Sequence, residues 1–348
     1  MSVEVTVSAA PPEGWDALAR RLGHFYHDPA WILGLTRTLR YQVHWLAARE
    51  GGALRGALAL AEVPGLLGPR RLVSFPFSFI AGPLAEEEAV AQALADGARD
   101  LAGRLGCRRV ELRRLGTETP PPAGFERSLR YSTYRIRTDD GEAALWKRLH
   151  RTSTQQRIKK AEKAGVEVVE GRTEADWLAM ARLEEEVQRG HGAPPPPRAI
   201  FLSLCRELQG AGLADLYLAR VPGGEVAAGF VMFKGAREWI YAYSAAADRY
   251  VNTYRPTHLL LWRGLQRAAA LGVTVDLGRT AEEQVSLAEF KERWGSERVP
   301  LAYDYWPGVA GLTAARRDAG SLALAGRVWR RLPRPLARMG SVLYRYLG

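Results

Sequence analysis

Four residues near the end of the chain have side chains suited to acyl transfer from an activated ester or thioester to an amine. Phe290 and Lys291 are adjacent on a short predicted helix, and Asp276 and Arg279 lie at the end of a predicted strand. In such a reaction the amine loses a proton, and the developing oxyanion must meet a positive or N–H-rich partner. A lysine beside an aromatic ring supplies that partner, together with a surface on which a nucleic-acid base can stack. The pattern therefore predicts catalysis by positioning and charge.

The Phe290–Lys291 pair also has a purely structural interpretation. Phe290 would then belong to the hydrophobic core, and Lys291 would form a surface ion pair with Glu289 or Glu292. The sequence leaves both interpretations open. We predict the functional one, with Lys291 as a catalytic residue.

Asp276 is the second predicted catalytic residue. Its carboxylate would orient the amine or accept its proton, or would instead cap the loop after its strand. Arg279 would hold a phosphate or a carboxylate of the substrate. The other predicted substrate-binding residues are those expected at the mouth of the same unit, where they would bind the acceptor: Tyr243, Asn252, Tyr254 and Arg255.

A basic segment at residues 147–172 predicts contact with an anionic partner. It carries eight Lys or Arg residues against three Glu residues. Arg157, Lys159 and Lys160 are the predicted phosphate or RNA contacts. The alternative is that they form a solvated helix face.

The sequence lacks the motifs of covalent and metal catalysis. It contains no Gly-x-Ser-x-Gly elbow, no His-Glu-x-x-His motif and no paired Cys-x-x-Cys motifs. Cys107 and Cys205 are the only cysteines, which suits a reducing compartment. We therefore expect no metal site and no tightly bound cofactor.

The candidate residues depend on a predicted alternation of strands and helices. Aromatic and β-branched runs predict the strands, and apolar residues at helical spacing predict the helices. Pro256 suits the first turn of the longer helix, and Gly272 suits its end. The predicted elements are a strand at 238–244, a loop at 245–256, a helix at 256–272, a strand at 273–277, a short helix at 287–294 and a strand at 299–306.

The same order of elements occurs earlier in the chain, which predicts an internal duplication of one α/β unit. Hairpin glycines and helix-ending glycines recur at a nearly constant interval, and so do the strands that follow the helix-ending glycines. The corresponding positions are Gly51–Gly52 with Gly223–Gly224, Gly106 with Gly272, and Val110-Glu-Leu-Arg113 with Val275-Asp-Leu-Gly278.

These segments resemble the FemAB-like transferases. That family includes the aminoacyl-tRNA-dependent enzymes that build peptidoglycan cross-bridges in bacteria, and related proteins of exosortase systems. The resemblance covers most of residues 24–306. The segments that carry it include Tyr254-Arg-Pro-Thr-His-Leu-Leu-Leu-Trp262, Asp276-Leu-Gly-Arg279, Phe290-Lys-Glu-Arg-Trp-Gly295 and Ser74-Phe-Pro-Phe-Ser-Phe-Ile-Ala-Gly-Pro-Leu84.

The resemblance implies an α/β (α+β) fold of two tandem GNAT-like domains, of the acyl-CoA N-acyltransferase type, with mixed central sheets. We expect the domains at residues 1–125 and 126–310, followed by a basic amphipathic tail at 311–348. It also implies that Phe290 and Lys291 contact the acceptor end of a charged tRNA and steady the tetrahedral intermediate.

The function implied is transfer of an aminoacyl group from aminoacyl-tRNA, or of an acyl group, to an amine. The acceptor would be a lipid-linked or nucleotide-linked precursor of the cell envelope, such as a peptidoglycan peptide. One alternative is an N-acyltransferase that uses acyl-CoA to modify polysaccharide or lipid. Another is a non-catalytic envelope assembly factor that binds anionic lipid or RNA.

One motif bears on the choice of donor. GNAT domains often bind the pyrophosphate of coenzyme A through Arg/Gln-x-x-Gly-x-Gly/Ala between a strand and a helix. That pattern occurs at residues 209–214, but there it leads into a predicted strand and cannot present N–H groups at a helix N-terminus. This counts against a standard acyl-CoA site.

The formal net charge is +11, and the tail carries much of it. From residue 321 apolar residues recur at helical intervals among arginines, a pattern that predicts peripheral contact with a membrane or packing back onto the protein. No apolar run is long enough to span a bilayer, and the first thirty residues lack an export-signal pattern. We expect a cytoplasmic protein, with possible contact at the inner face of the membrane through residues 321–348.

Overall fold

The structure is a computed structural model that describes residues 3–65, 68–316 and 340–348. The chain divides into two compact units. Of the described residues, the first contains 3–65, 68–131, 300–316 and 343–348, and the second contains 132–299 and 340–342. The division falls within two long strands, so the first unit takes residues from both ends of the chain.

The first unit is a mixed sheet with helices. Its strands follow the order β1-β2-β3-β4-β6-β14, in which only the β4–β6 pair is parallel. Its elements are β1 (Glu4–Ser8), α1 (Trp15–Leu22), α2 (Pro29–Leu39), β2 (Gln42–Glu50), β3 (Ala53–Val63), β4 (Arg71–Val73), β5 (Leu84–Ala85), α3 (Glu88–Leu105), β6 (Arg109–Leu115), the first part of β7 (Glu126–Ile136) and most of β14 (Glu297–Trp306).

The second unit repeats that pattern of pairing. Its strands follow the order β8-β9-β10-β11-β12-β7, and only the β11–β12 pair is parallel. Its elements, besides the end of β7, are α4 (Glu142–Arg148), α5 (Gln156–Lys163), β8 (Glu167–Gly171), α6 (Glu174–His191), α7 (Arg198–Ser203), β9 (Ala214–Arg220), β10 (Val226–Lys234), β11 (Glu238–Ala246), α8 (Asp248–Tyr254), α9 (Pro256–Ala269), β12 (Thr274–Asp276), β13 (Thr280–Ala281) and α10 (Val285–Glu292).

Helix α9 positions the strand on which the site depends. It begins with Pro256 in its first turn and buries an apolar face that includes Leu260 and Leu265. Gly264 lets the helix approach the sheet, because a Cβ there would lie 2.7 Å from the Phe230 ring. Gly272 then turns the chain with a φ of 65° into β12. The helix and the strand agree with the sequence prediction.

The predicted loop at residues 245–256 is wrong in part, because it contains helix α8. None of the α8 residues is buried. A helix that buries no residue has no apolar stripe, and therefore no periodicity that reveals it in the sequence.

The end of the chain packs on the first unit. A 3₁₀ helix at Gly340–Tyr346 places the Tyr344 ring flat against Phe77, with 4.3 Å between ring centroids. The Tyr41 hydroxyl donates to the Arg345 carbonyl at 2.7 Å. Residues 317–339, which include most of the predicted amphipathic helix, lie outside the described residues.

Candidate active site

The candidate site lies in the second unit, where β12 ends and the chain turns towards α10. Strand β12 is parallel to β11 and antiparallel to β7, with Asp276 opposite Ile240 on one side and Arg135 on the other. In open α/β sheets, ligands bind beyond the carboxyl ends of parallel strands. Asp276 is the last residue of such a strand.

Asp276 is completely buried and held through one carboxylate oxygen. Its Oδ1 accepts hydrogen bonds from the Thr133 hydroxyl and, at 2.7 Å, from the Gly278 main-chain N–H. Its Oδ2 has no hydrogen-bond partner among the described residues. Burial, and then the nearby Glu238, raise the pKa of Asp276 to about 6. The carboxyl group can therefore gain or lose a proton near neutral pH.

Lys291 is also buried, with 5% of its surface exposed. Its ammonium group donates to the Gly278 carbonyl at 2.6 Å and to the Arg279 carbonyl at 3.3 Å, and it lies 5.5 Å from the centroid of the Tyr134 ring. Burial lowers the pKa of Lys291 to about 8, while Asp276 opposes that shift. The alternative of a surface ion pair does not hold, because the side chain is buried.

The ammonium group retains one unused hydrogen-bond donor. An ammonium has three N–H groups, and two of them meet main-chain carbonyls. Within the described residues no acceptor occupies the third, and no carboxylate lies within ion-pairing distance of the nitrogen. Such a donor is available to an oxygen atom that gains negative charge.

Phe290 lies beside Lys291 and is half-buried. Its ring contacts His258 edge-on, with centroids 5.7 Å apart, and lies 6.2 Å from Trp294. Burial, followed by the charges of Arg157 and Arg255, lowers the pKa of His258 to about 4. The imidazole is therefore neutral and acts as a packing partner that fixes the Phe290 ring.

A group of cations lies around the first turn of α9. Arg255 occupies the residue before that helix with a φ of 52°. Burial lowers the pKa of Arg157, and the charges of Arg255 and Arg293 lower it further, so both of these guanidinium groups lie close enough to repel that of Arg157. The Lys160 ammonium donates to the Asn252 carbonyl at 3.0 Å. Positive side chains beside a helix N-terminus form an environment that favours phosphate.

The structure thus brings most of the predicted site residues into two groups. The first contains Asp276, Phe290, Lys291 and the main chain of Arg279, whose own side chain is exposed. The second contains Arg157, Lys160, Asn252 and Arg255, and His258 links the two groups. The other three predicted residues have different neighbours: Tyr243 packs against Phe201 and Phe233, Tyr254 packs edge-on against Tyr250, and Lys159 lies over the Trp146 ring.

Sequence reasoning missed three residues of the site. Thr133 and Tyr134 lie on β7, which is distant in the sequence and adjacent only after folding. His258 lies inside a segment that resembles the FemAB-like proteins, and that resemblance was the one signal that pointed to it. Among the described residues no group of His, Cys, Asp or Glu side chains could hold a metal ion. No described helix combines the length and apolar character needed to cross a bilayer.

Comparison with known families and solved structures identifies the fold. Residues 148–292 match the family model described as an acetyltransferase (GNAT) domain. The crystal structure of FemX is similar with a TM-score of 0.65 and 14% identity, over 86% of this chain and 96% of FemX. The chain has a tandem GNAT-like fold that is similar to the fold of FemX. This confirms the α/β fold class and the duplication implied by the sequence resemblance.

Two further structures share the tandem GNAT-like fold. A tandem GNAT protein from the clavulanic acid biosynthesis pathway is 16% identical over 87% of this chain and 98% of its own, with a TM-score of 0.54. The C-terminal domain of a putative lysylphosphatidylglycerol synthetase from Agrobacterium fabrum is 14% identical over 89% of this chain and 96% of its own, with a TM-score of 0.57. A search of curated protein sequences finds no match.

Proposed function

We propose that this protein transfers an aminoacyl group from aminoacyl-tRNA to an amine of a cell-envelope precursor. The observation that carries the proposal is the third N–H of the buried Lys291 ammonium, beside the half-buried Phe290 ring. A donor fixed in this way suits an oxyanion that forms during acyl transfer. Support also comes from the fold, because one of the similar structures is FemX and another is the C-terminal domain of a putative lysylphosphatidylglycerol synthetase.

The reaction requires no covalent intermediate on the protein. The amine nitrogen attacks the ester carbonyl carbon, and the carbonyl oxygen takes on negative charge opposite the Lys291 ammonium. The tetrahedral intermediate then expels the ribose oxygen, which leaves as a hydroxyl group after the amine nitrogen has lost its proton. The C–N bond forms in the first step and the C–O bond breaks in the second, and the proton that the amine nitrogen loses balances the proton that the ribose oxygen gains. Holding the two reactants together supplies much of the rate enhancement.

Two observations favour a tRNA donor over acyl-CoA. The segment that joins β11 to α9, residues 247–255, contains no glycine and includes helix α8, whereas the coenzyme A motif requires glycines. The Gln209–Gly212 segment precedes β9 and does not begin a helix. Arg157 and Arg255 would instead contact the phosphates next to the terminal base, which would stack on Phe290. Acyl-CoA remains the second candidate, because a GNAT family model matches this unit.

The acceptor in this proposal is a lipid-linked or nucleotide-linked envelope precursor. A lipid-linked acceptor would give the basic residues 321–348 a role in holding the protein at the inner face of the membrane. Removing residues 321–348 should weaken binding to vesicles of anionic lipid, while turnover of a soluble acceptor continues. Equal vesicle binding by the shortened and full-length chains would rule out this membrane contact.

The decisive experiment compares donors. Purified protein is mixed with an envelope precursor amine and either labelled aminoacyl-tRNA or labelled acyl-CoA, and transferred label is counted. We expect label from the tRNA only. Lys291→Ala should lower the rate about a hundredfold, as does loss of one oxyanion donor in other acyl-transfer enzymes.

Lys163→Ala is the matched control, because Lys163 is an exposed lysine of the same unit. Its rate should equal that of the unmodified protein. Transfer from acyl-CoA alone would favour the second candidate. Unchanged turnover in Lys291→Ala would remove Lys291 from the mechanism.

A further inference from the structure

The carbonyls that hold Lys291 belong to a single turn, which follows β12 directly. Gly278 adopts a φ of 80°, a conformation that glycine accepts at little cost. Two consecutive carbonyls, those of Gly278 and Arg279, reach one nitrogen only when the dihedral angles of this turn are fixed. The position of the ammonium group therefore depends on what fixes the turn.

Asp276 fixes that turn from within the strand. Its Oδ1 accepts the Gly278 N–H at 2.7 Å, which closes a short loop between side chain and backbone. The same oxygen accepts the Thr133 hydroxyl from β7, so the carboxylate itself cannot rotate freely. Neither Asp276 oxygen lies within ion-pairing distance of Lys291 in the described structure. Asp276 therefore acts on Lys291 through the turn and through the electric field.

In the described part of the chain, few other charged groups contribute to the electric field at the Lys291 ammonium group. Glu238 of β11 lies near Asp276, but it is paired with Arg135 of β7 at 2.7 Å. Arg279 lies near Lys291 and lowers the pKa of its ammonium group. Glu292 and Arg298 act on Tyr134, the ring beside that nitrogen, with opposite signs. Among the groups in the described part of the chain that act on Lys291, Asp276 is the negative one, and it favours the charged form of the ammonium group.

We propose that Asp276, held by Thr133, is the positioning residue that aims the Lys291 ammonium and keeps it charged. In this arrangement Asp276 does not contact the substrate. The assignment of the third N–H to an oxyanion rests on the proposed function. The control of Lys291 by Asp276 does not, and it can be measured without any substrate.

The test uses the small number of lysines. The chain has six, so a protein labelled with ¹³C at lysine Cε gives few signals, and Lys291→Arg identifies the one of interest. Titration of that signal follows the charge of Lys291 directly.

Asp276→Asn keeps an oxygen for the Gly278 N–H but removes the charge. The Lys291 titration should move to lower pH by about one unit, because the negative charge of Asp276 favours the charged form of the ammonium group.

Thr133→Val provides a second and milder variant. Loss of the hydroxyl donor disfavours the ionised Asp276 carboxylate, so the Lys291 titration should again move to lower pH, by less than in Asp276→Asn. Thr138→Val is the control, because it removes another buried hydroxyl of the same unit, one that donates to the Val273 carbonyl at 2.7 Å. The control should leave the Lys291 titration unchanged.

Rates and amide exchange then separate the possible outcomes. On the alkaline side of the pH profile, transfer activity should be lost at a lower pH in Asp276→Asn than in the unmodified protein. Amide exchange of the Gly278 N–H should speed up in Asp276→Ala but not in Asp276→Asn. An unchanged Lys291 titration in both Asp276→Asn and Thr133→Val overturns the inference. A shifted titration with an unchanged rate profile keeps the inference and instead overturns the catalytic role of Lys291.

Discussion

Two buried acids occupy equivalent places in the two units, and their surroundings differ. Glu111 and Asp276 each lie on the strand that follows the long helix, and each forms the last parallel pair with the preceding strand, Glu111 with Val73 and Asp276 with Ile240. Two residues later the first unit has Arg113, and the second has Gly278. The residue at that position determines whether the buried acid has an arginine as its counter-ion.

In the first unit the arginine neutralises the acid. Arg113 Nε lies 2.7 Å from Glu111 Oε1, and its guanidinium group also donates to the Ser78 and Phe75 carbonyls. Burial alone would raise the pKa of Glu111, but Arg113 and two further arginines hold it below its usual value. In the second unit a glycine leaves the main chain open to Lys291, and the acid remains close to protonation. The acid of the first unit is held in a fixed ion pair, and the acid of the second unit holds the turn that binds Lys291.

The largest expected effect comes from breaking the pair in the first unit. Arg113→Met leaves Glu111 buried without its counter-ion, which should lower the free energy of unfolding by about 3–5 kcal/mol. Urea denaturation measures this loss. The double variant Glu111→Gln with Arg113→Met should recover much of the stability, because no uncompensated charge remains. Equal stabilities for the single and double variants would contradict a structural role for the pair.

The two acids should also give the protein opposite responses to pH. Because the pKa of Asp276 is raised to about 6 in the folded protein, the folded state holds this proton more tightly than the unfolded state does. The contribution of Asp276 to the free energy of unfolding is therefore complete below pH 4 and is lost as pH rises through about 6, a decrease of about 1–3 kcal/mol. The lowered pKa of Glu111 means that its contribution is present above pH 5 and is lost as pH falls.

Denaturation curves between pH 3 and 7 separate the two responses. Asp276→Asn should remove the decline in stability between pH 4 and 6, and Glu111→Gln should weaken the decline towards acid. If both variants changed the curve in the same direction, the contrast between the units would be wrong.

The smallest expected effect concerns the end of the chain. Tyr344→Ala removes the ring that stacks on Phe77, which should cost about 1–2 kcal/mol in the unfolding of the first unit. The transfer rate should stay the same, because the candidate site belongs to the second unit. A loss of activity at unchanged stability would show that the segment has a further role.

Local patterns were sufficient to predict the elements around the site. Pro256, the apolar spacing of α9 and Gly272 identified the crossing helix, and the aromatic run identified β11. Helix α8 was missed because all of its side chains are at least partly exposed. The shift in register between β10 and β11 at Val231–Met232 also has no local signature, although it changes which face the later side chains occupy.

The site was predicted less completely than the fold. Lys291, Phe290 and Asp276 were selected by residue type and by resemblance, which are properties of single segments. Thr133 and Tyr134 come from a strand that meets Asp276 only through non-local pairing, and His258 reaches Phe290 only through packing between helices. The burial that shifts the pKa values of Asp276 and Lys291 is likewise a property of the folded chain.

The division of the units within β7 and β14 bears on how the protein must be made. Strand β6 finds its antiparallel neighbour β14 only after residue 306 has been synthesised, so the emerging first half exposes an unpaired sheet edge for most of translation. A fragment that ends at residue 125 would keep that edge permanently and would be prone to aggregate. Expression of the first half alone is therefore a poor route to an isolated domain, and a circularly rearranged gene that supplies residues 300–316 would be a better one.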